Sequence, residues 1–138
     1  MDQSKYNVSF SGYSGRHFRK SFHKKYKNKW PLTEKAIISV CERIDNMLLT
    51  NRADLIQSVN NFQLVKLDFA VTDTQMSPKS TGNRCILFVD NNNENVDNKK
   101  VDILLVYSKD DITGPNETVW WKEIIKNQFE EVSKIFGL

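Results

Sequence analysis

Two short runs constrain the fold of this 138-residue chain more than any other feature. Residues 84–90 hold Ile86, Leu87, Phe88 and Val89 in succession, and residues 101–107 hold Val101, Ile103, Leu104, Leu105 and Val106. Both are dense in β-branched and aromatic side chains and too short for helices of that hydrophobicity, so they read as central strands. Between them, residues 91–100 are almost entirely Asn, Asp, Glu and Lys, a composition that suits an enlarged, solvated and mobile hairpin loop.

Other elements follow from periodicity. Tyr6, Val8 and Phe10 alternate with polar residues, the pattern of a short half-buried strand. After the break at residues 11–15, Phe18, Phe22, Tyr26 and Trp30 recur every four residues on one face of an expected helix, and basic residues occupy its other faces. Pro31 suits the first turn of a second helix with Ile37, Val40, Cys41, Ile44 and Leu48 on its apolar face, which makes a helical hairpin. A short third turn is expected over residues 53–59. Residues 62–71 then read as a strand with Val65, Leu67, Phe69 and Val71 on one face and Lys66 and Asp68 on the other. Residues 72–83, rich in Ser, Thr, Pro and Gly, read as a loop. A helix-start signal at Asn116 and Glu117 opens one long amphipathic helix through Trp121, Ile125, Phe129, Val132 and Phe136. The expected fold is α+β, one domain over residues 1–138: an N-terminal strand, a helical hairpin, a three-stranded antiparallel meander and a long C-terminal helix, with the helices on one side of the sheet.

Charge is unevenly spread along this frame. The first 35 residues hold nine Lys or Arg against two acids, whereas the remainder holds eleven against fifteen. A concentrated cationic surface attracts polyanions, so RNA, DNA, an anionic membrane surface or an acidic protein segment is the expected partner. No apolar run approaches the roughly 20 residues that span a bilayer. Residues 1–15 carry neither a secretory h-region nor an Arg-rich presequence, which makes a cytoplasmic location the expectation. Cys41 and Cys85 fall on apolar faces and read as reduced core thiols. His17 and His23 have no metal-ligand spacing with each other or with cysteine.

Three segments, residues 18–26 with their Phe/Lys-rich helix, residues 82–88 with Gly82 and Arg84 opening a strand, and residues 103–109 ending a strand at Tyr107 and Lys109, give the chain a resemblance to the RelE/ParE superfamily of toxins from toxin–antitoxin modules. The chain departs from that pattern at Asp110 and Asp111, where ribonuclease members tend to place basic or aromatic residues, and in its longer terminal helix. The resemblance implies a toxin that cleaves messenger RNA without a metal or other cofactor, at the ribosome, and that an antitoxin protein holds inactive. The reaction is attack of a ribose 2′-hydroxyl on its own phosphodiester, which needs a base, an acid and cations for the extra phosphoryl charge.

On this reading the catalytic set is Arg84, Lys66, Lys109 and Tyr107, with Arg84 gripping phosphate oxygens. His23 is a further proton carrier of lower rank. Arg16, Arg19, Lys20, Lys24 and Lys27 would follow the RNA backbone. Trp120 and Ile124 would meet a protein partner, because adjacent helical residues such as Trp120 and Trp121 point about 100° apart and cannot share one pocket. Each residue has a plainer reading. Arg84 would be ion-paired with a nearby acid, Lys66 and Lys109 would be solvated strand-end charges, and Tyr107 would be core. Two other functions stay open: a non-enzymatic ParE-like inhibitor of a protein target such as DNA gyrase, and a basic RNA-binding module without activity.

Overall fold

The computed structural model describes residues 6–13, 19–72, 77–91 and 99–138. The architecture is α+β, built on a five-stranded mixed sheet of order β1-β5-β4-β3-β2. Its strands are β1 (Asn7–Phe10), β2 (Ala53–Val59), β3 (Phe62–Phe69), β4 (Asn83–Asp90) and β5 (Lys100–Tyr107). β2 to β5 form an antiparallel meander, and β1 lies parallel to β5. The sheet is therefore larger than the three-stranded meander expected, and it is not purely antiparallel.

Between β1 and β2 come α1 (Arg19–Tyr26), α2 (Lys29–Cys41) and α3 (Ile44–Met47). α1 turns into α2 through Lys27, whose φ of 50° is left-handed. Trp30 thus belongs to the second helix rather than to the first, and it still closes the aromatic stripe. Phe22 stacks on Trp30 at 4.6 Å and lies 5.7 Å from Phe69 of β3. Pro31 stands in the first turn of α2, where its missing N–H is not needed. Trp30, Thr33, Ile37 and Cys41 form the buried face behind it. Arg16 and Phe18, like most of the loop over residues 91–100, lie outside the described residues.

The helices cover both faces of the sheet, not one. On the first face α1, α2 and α3 bury Phe22, Trp30, Ile37, Cys41 and Ile44 against Val65, Leu67, Cys85, Leu87, Val101 and Ile103. On the second, Trp121, Ile125, Val132 and Phe136 cover Leu64, Ile86, Leu105 and Tyr107. Each large apolar side chain sealed there, such as Phe69 or Ile125, contributes about 1.5–3 kcal/mol by leaving water. The second cover is two helices, α5 (Glu117–Gln128) and α6 (Glu130–Phe136), broken at Phe129. Asn116 caps α5 by accepting from the Val119 N–H at 3.0 Å. The break lets Val132 and Phe136 return to the sheet, and Phe129 meets Tyr13 edge-on at 5.9 Å.

Residues 53–59 are a strand, which corrects the expected helical turn. β2 pairs with β3 across the Asn60–Asn61 turn, and a register shift between Leu55 and Gln57 puts its apolar residues out of phase. The expected loop over residues 72–83 contains a short helix, α4 (Pro78–Thr81), ended by Gly82 at φ 75°. No described helix is long and apolar enough to cross a membrane.

Candidate functional site

Arg84, the first residue expected to carry chemistry, stands opposite Asp68 on β3 and Tyr107 on β5. A bulge in β5 makes that alignment possible. Ile86 pairs with Leu105 and Leu87 with Ile103, so Leu104 is an extra residue, and Leu105 and Tyr107 turn to the opposite face from Val101 and Ile103. Without it Tyr107 would enter the first core instead of standing beside Arg84.

There Arg84 is shared between two carboxylates. Its Nε donates to Asp68 Oδ1 at 3.1 Å and its Nη1 to Glu117 Oε1 at 2.8 Å. Tyr107 donates its hydroxyl to the other Glu117 oxygen at 2.6 Å. Burial and then the Glu117 hydrogen bond push the Tyr107 phenol far above its ordinary range, so it stays protonated. Trp120 closes one side, edge-on to Tyr107 at 4.9 Å. One guanidinium facing two carboxylates leaves an excess of negative charge where a scissile phosphate would need positive charge. The cluster ties β3, β4 and β5 to the first turn of α5.

The other expected catalytic residues do not complete it. Lys66 is half-buried on the same face, two residues before Asp68, opposite Asp54 and Ile86. Lys109 lies in a single 3₁₀ turn, Lys109–Asp111, beyond β5. Its stem crosses Gly82, where a Cβ would stand 3.1 Å from Lys109 Cδ. From there it lines a cleft of about 260 Å³ with Lys25, Tyr26, Asn83 and Ser108, at the end of the sheet beside α1. Asp68 and Glu117, the partners that define the Arg84 cluster, were missed as site residues. The alternation of β3 puts Asp68 on the Lys66 face, but nothing in the sequence brings Glu117 there.

The basic helix is a different environment. Residues 19–29 carry six Lys or Arg and no acid. Lys20, Lys24, Lys25, Lys27 and Lys29 are all exposed, and among the described residues no ion pair includes any of them. His23 is exposed on the same helix. Arg19 differs: its guanidinium lies 4.0 Å over the Phe10 ring and donates to Glu34, which also accepts from Trp30 Nε1 at 2.9 Å. It holds β1, α1 and α2 together and has less freedom to meet a ligand.

Trp120 and Ile124 are half-buried and line a shallow groove with Tyr13, Val119 and Glu123, while Trp121 is buried. Cys41 and Cys85 are free and buried. Among the described residues no group of three or more His, Cys, Asp or Glu could hold a metal ion. No protein-family model matches the chain, and neither a curated protein nor a solved structure is detectably similar to it.

Proposed function

We propose that this chain binds RNA through the outer surface of α1 and its turn into α2. The observation that carries the reading is the acid-free tract over residues 19–29, with five exposed lysines outside any ion pair of the described residues. Each phosphate such a lysine neutralises releases condensed counterions, so the affinity is largely independent of sequence and falls with salt. The test is a titration of a single-stranded RNA of about 12 nucleotides over a series of salt concentrations. With three to five phosphates engaged, the slope of log affinity against log salt comes out at about −2 to −3.5. An absent or salt-insensitive interaction overturns the proposal.

A second, narrower reading is a RelE/ParE-like toxin held by an antitoxin. It is favoured by the element order: a first strand, a helical hairpin, then an antiparallel run of strands whose last member returns beside the first. Within it the geometry favours binding over messenger RNA cleavage, because a phosphate approaching Arg84 must displace Glu117 or Asp68. Controlled expression in a bacterial host with mapping of messenger RNA 5′ ends separates the cases. Arrest with new ends that vanish in Arg84→Ala supports the nuclease. Arrest without new ends supports a ParE-like inhibitor of a protein target, and unimpaired growth with soluble protein sinks both in that host.

A further inference from the structure

We infer that the cleft beside α1 takes one unpaired nucleotide of the bound strand, and that Asn83 reads its base; this rests on the RNA-binding reading and adds a subsite to it. Asn83 begins β4 opposite Phe69 and is only 6% exposed. Its backbone N–H donates to Thr81 Oγ1 at 3.0 Å, which fixes its position. Its side-chain amide has no hydrogen-bond partner among the described residues, although it lines the cleft. The amide offers two donors and an acceptor oxygen, and its atoms are not sealed from solvent but face the cleft. An amide open to the cleft, with no partner to displace among the described residues, is poised for a ligand with a matching polar edge.

The rest of the lining narrows the ligand. Phe22, Tyr26 and Val71 supply apolar walls, and Lys25 and Lys109 supply two cations. Lys109 reaches its place because Gly82, at φ +75°, has no Cβ to meet the lysine stem 3.1–3.2 Å away. The remaining charge is acidic. Asp111 accepts from the Ser108 N–H at 2.9 Å, while Asp110 is exposed. Two carboxylates make the cleft a poor host for a free di- or triphosphate. A planar base, neutral where it enters and attached to one phosphate, meets both demands. An Asn amide pairs with adenine at N6 and N7, so adenine is the base of choice. The cavity of about 260 Å³ has the size for such a group.

Adenosine monophosphate tests the subsite with Lys25 as the one lysine it shares with the α1 surface. Titrating it into the full-length protein, with inorganic phosphate as a parallel probe, and following ¹H–¹⁵N spectra should move the Asn83 side-chain amide and the Thr81 and Lys109 backbone signals. Phosphate alone should leave the Asn83 side-chain amide unmoved. Asn83→Ala should weaken the nucleotide by about tenfold or more. Should that variant fold poorly, Asn83→Asp keeps the shape, removes both donors and should show the same loss. An unmoved Asn83 amide, equal affinity in a folded variant, or the same shifts from phosphate alone overturns the subsite. If the nucleotide moves these signals while an RNA strand does not bind, the subsite stands and the α1 surface fails. The reverse pattern removes the subsite and leaves the surface.

Discussion

Arg84 and the lysines of α1 are cations on the same small domain, and their surroundings give them opposite uses. Arg84 is set among two carboxylates and a buried tyrosine at a junction of three strands and a helix. The α1 lysines stand in solvent with no acid among residues 19–29. A cation whose charge is already met by protein carboxylates stabilises the fold and adds little long-range field, whereas unpaired cations at a surface attract a polyanion. Residue type alone marks both as phosphate ligands. Only the neighbours divide them.

The comparison breaks if Arg84 proves dispensable to the fold. Removing it in Arg84→Ala strands Asp68 and Glu117 beside each other, which costs about 3–5 kcal/mol in a fully buried pair. Because Arg84 is 22% accessible, a loss of about 2–3 kcal/mol in urea unfolding is expected. Tyr107→Phe removes the bond to Glu117 and should cost about 1.5–2 kcal/mol by the same measurement.

Alkaline pH probes the same interior. Burial lifts Cys41 from an ordinary 9.0 to about 12. It also lifts Cys85, and it lifts Tyr107 together with the Glu117 hydrogen bond. The unfolded chain releases these protons first. Their contribution is therefore intact below pH 9.0 and is lost as pH rises from there towards about 12. The unfolding free energy from urea titration should hold steady up to about pH 8.5 and fall above it, by up to about 1.4 kcal/mol per pH unit for each group, and the urea midpoint should fall with it. A midpoint that rises with alkali contradicts the buried, protonated assignment.

The smallest stability effect belongs to the other region. Lys24→Ala or Lys27→Ala should change stability by no more than about 0.5 kcal/mol, since neither side chain is packed or paired in the described structure. A larger loss at Lys24 would mean that α1 uses its charge for the fold, and the contrast would soften.

How far the sequence foretold this division differs from element to element. β4 and β5 were legible because their apolar side chains leave no other conformation for runs so short. The adjacent apolar residues Cys85, Ile86 and Leu87 are buried on both faces, a sign of two-sided cover that the expectation of helices on one side passed over. β2 was not legible. Its bulge puts Leu55, Ile56 and Val59 out of the period of two by which a strand is recognised. The break at Phe129 was hidden for the converse reason: no Gly or Pro marks it, and the apolar spacing runs through it. At the candidate site, the ion-paired reading of Arg84 was open from the start, but its partners were not. Asp68 reaches it by strand register and Glu117 by the docking of α5, and neither relation is local in sequence. Lys109 was expected beside Arg84, but the turn after Tyr107 carries it to the cleft.

The most direct measurement compares RNA affinity, by fluorescence anisotropy at one moderate salt concentration, among the wild-type chain, the double variant Lys24→Glu/Lys27→Glu and Arg84→Gln. Binding by wild type that falls about tenfold or more in the double variant, while a folded Arg84→Gln keeps its affinity, is the result predicted. Binding that survives the charge reversal and collapses with Arg84→Gln would place the RNA on the Arg84 cluster and contradict the account.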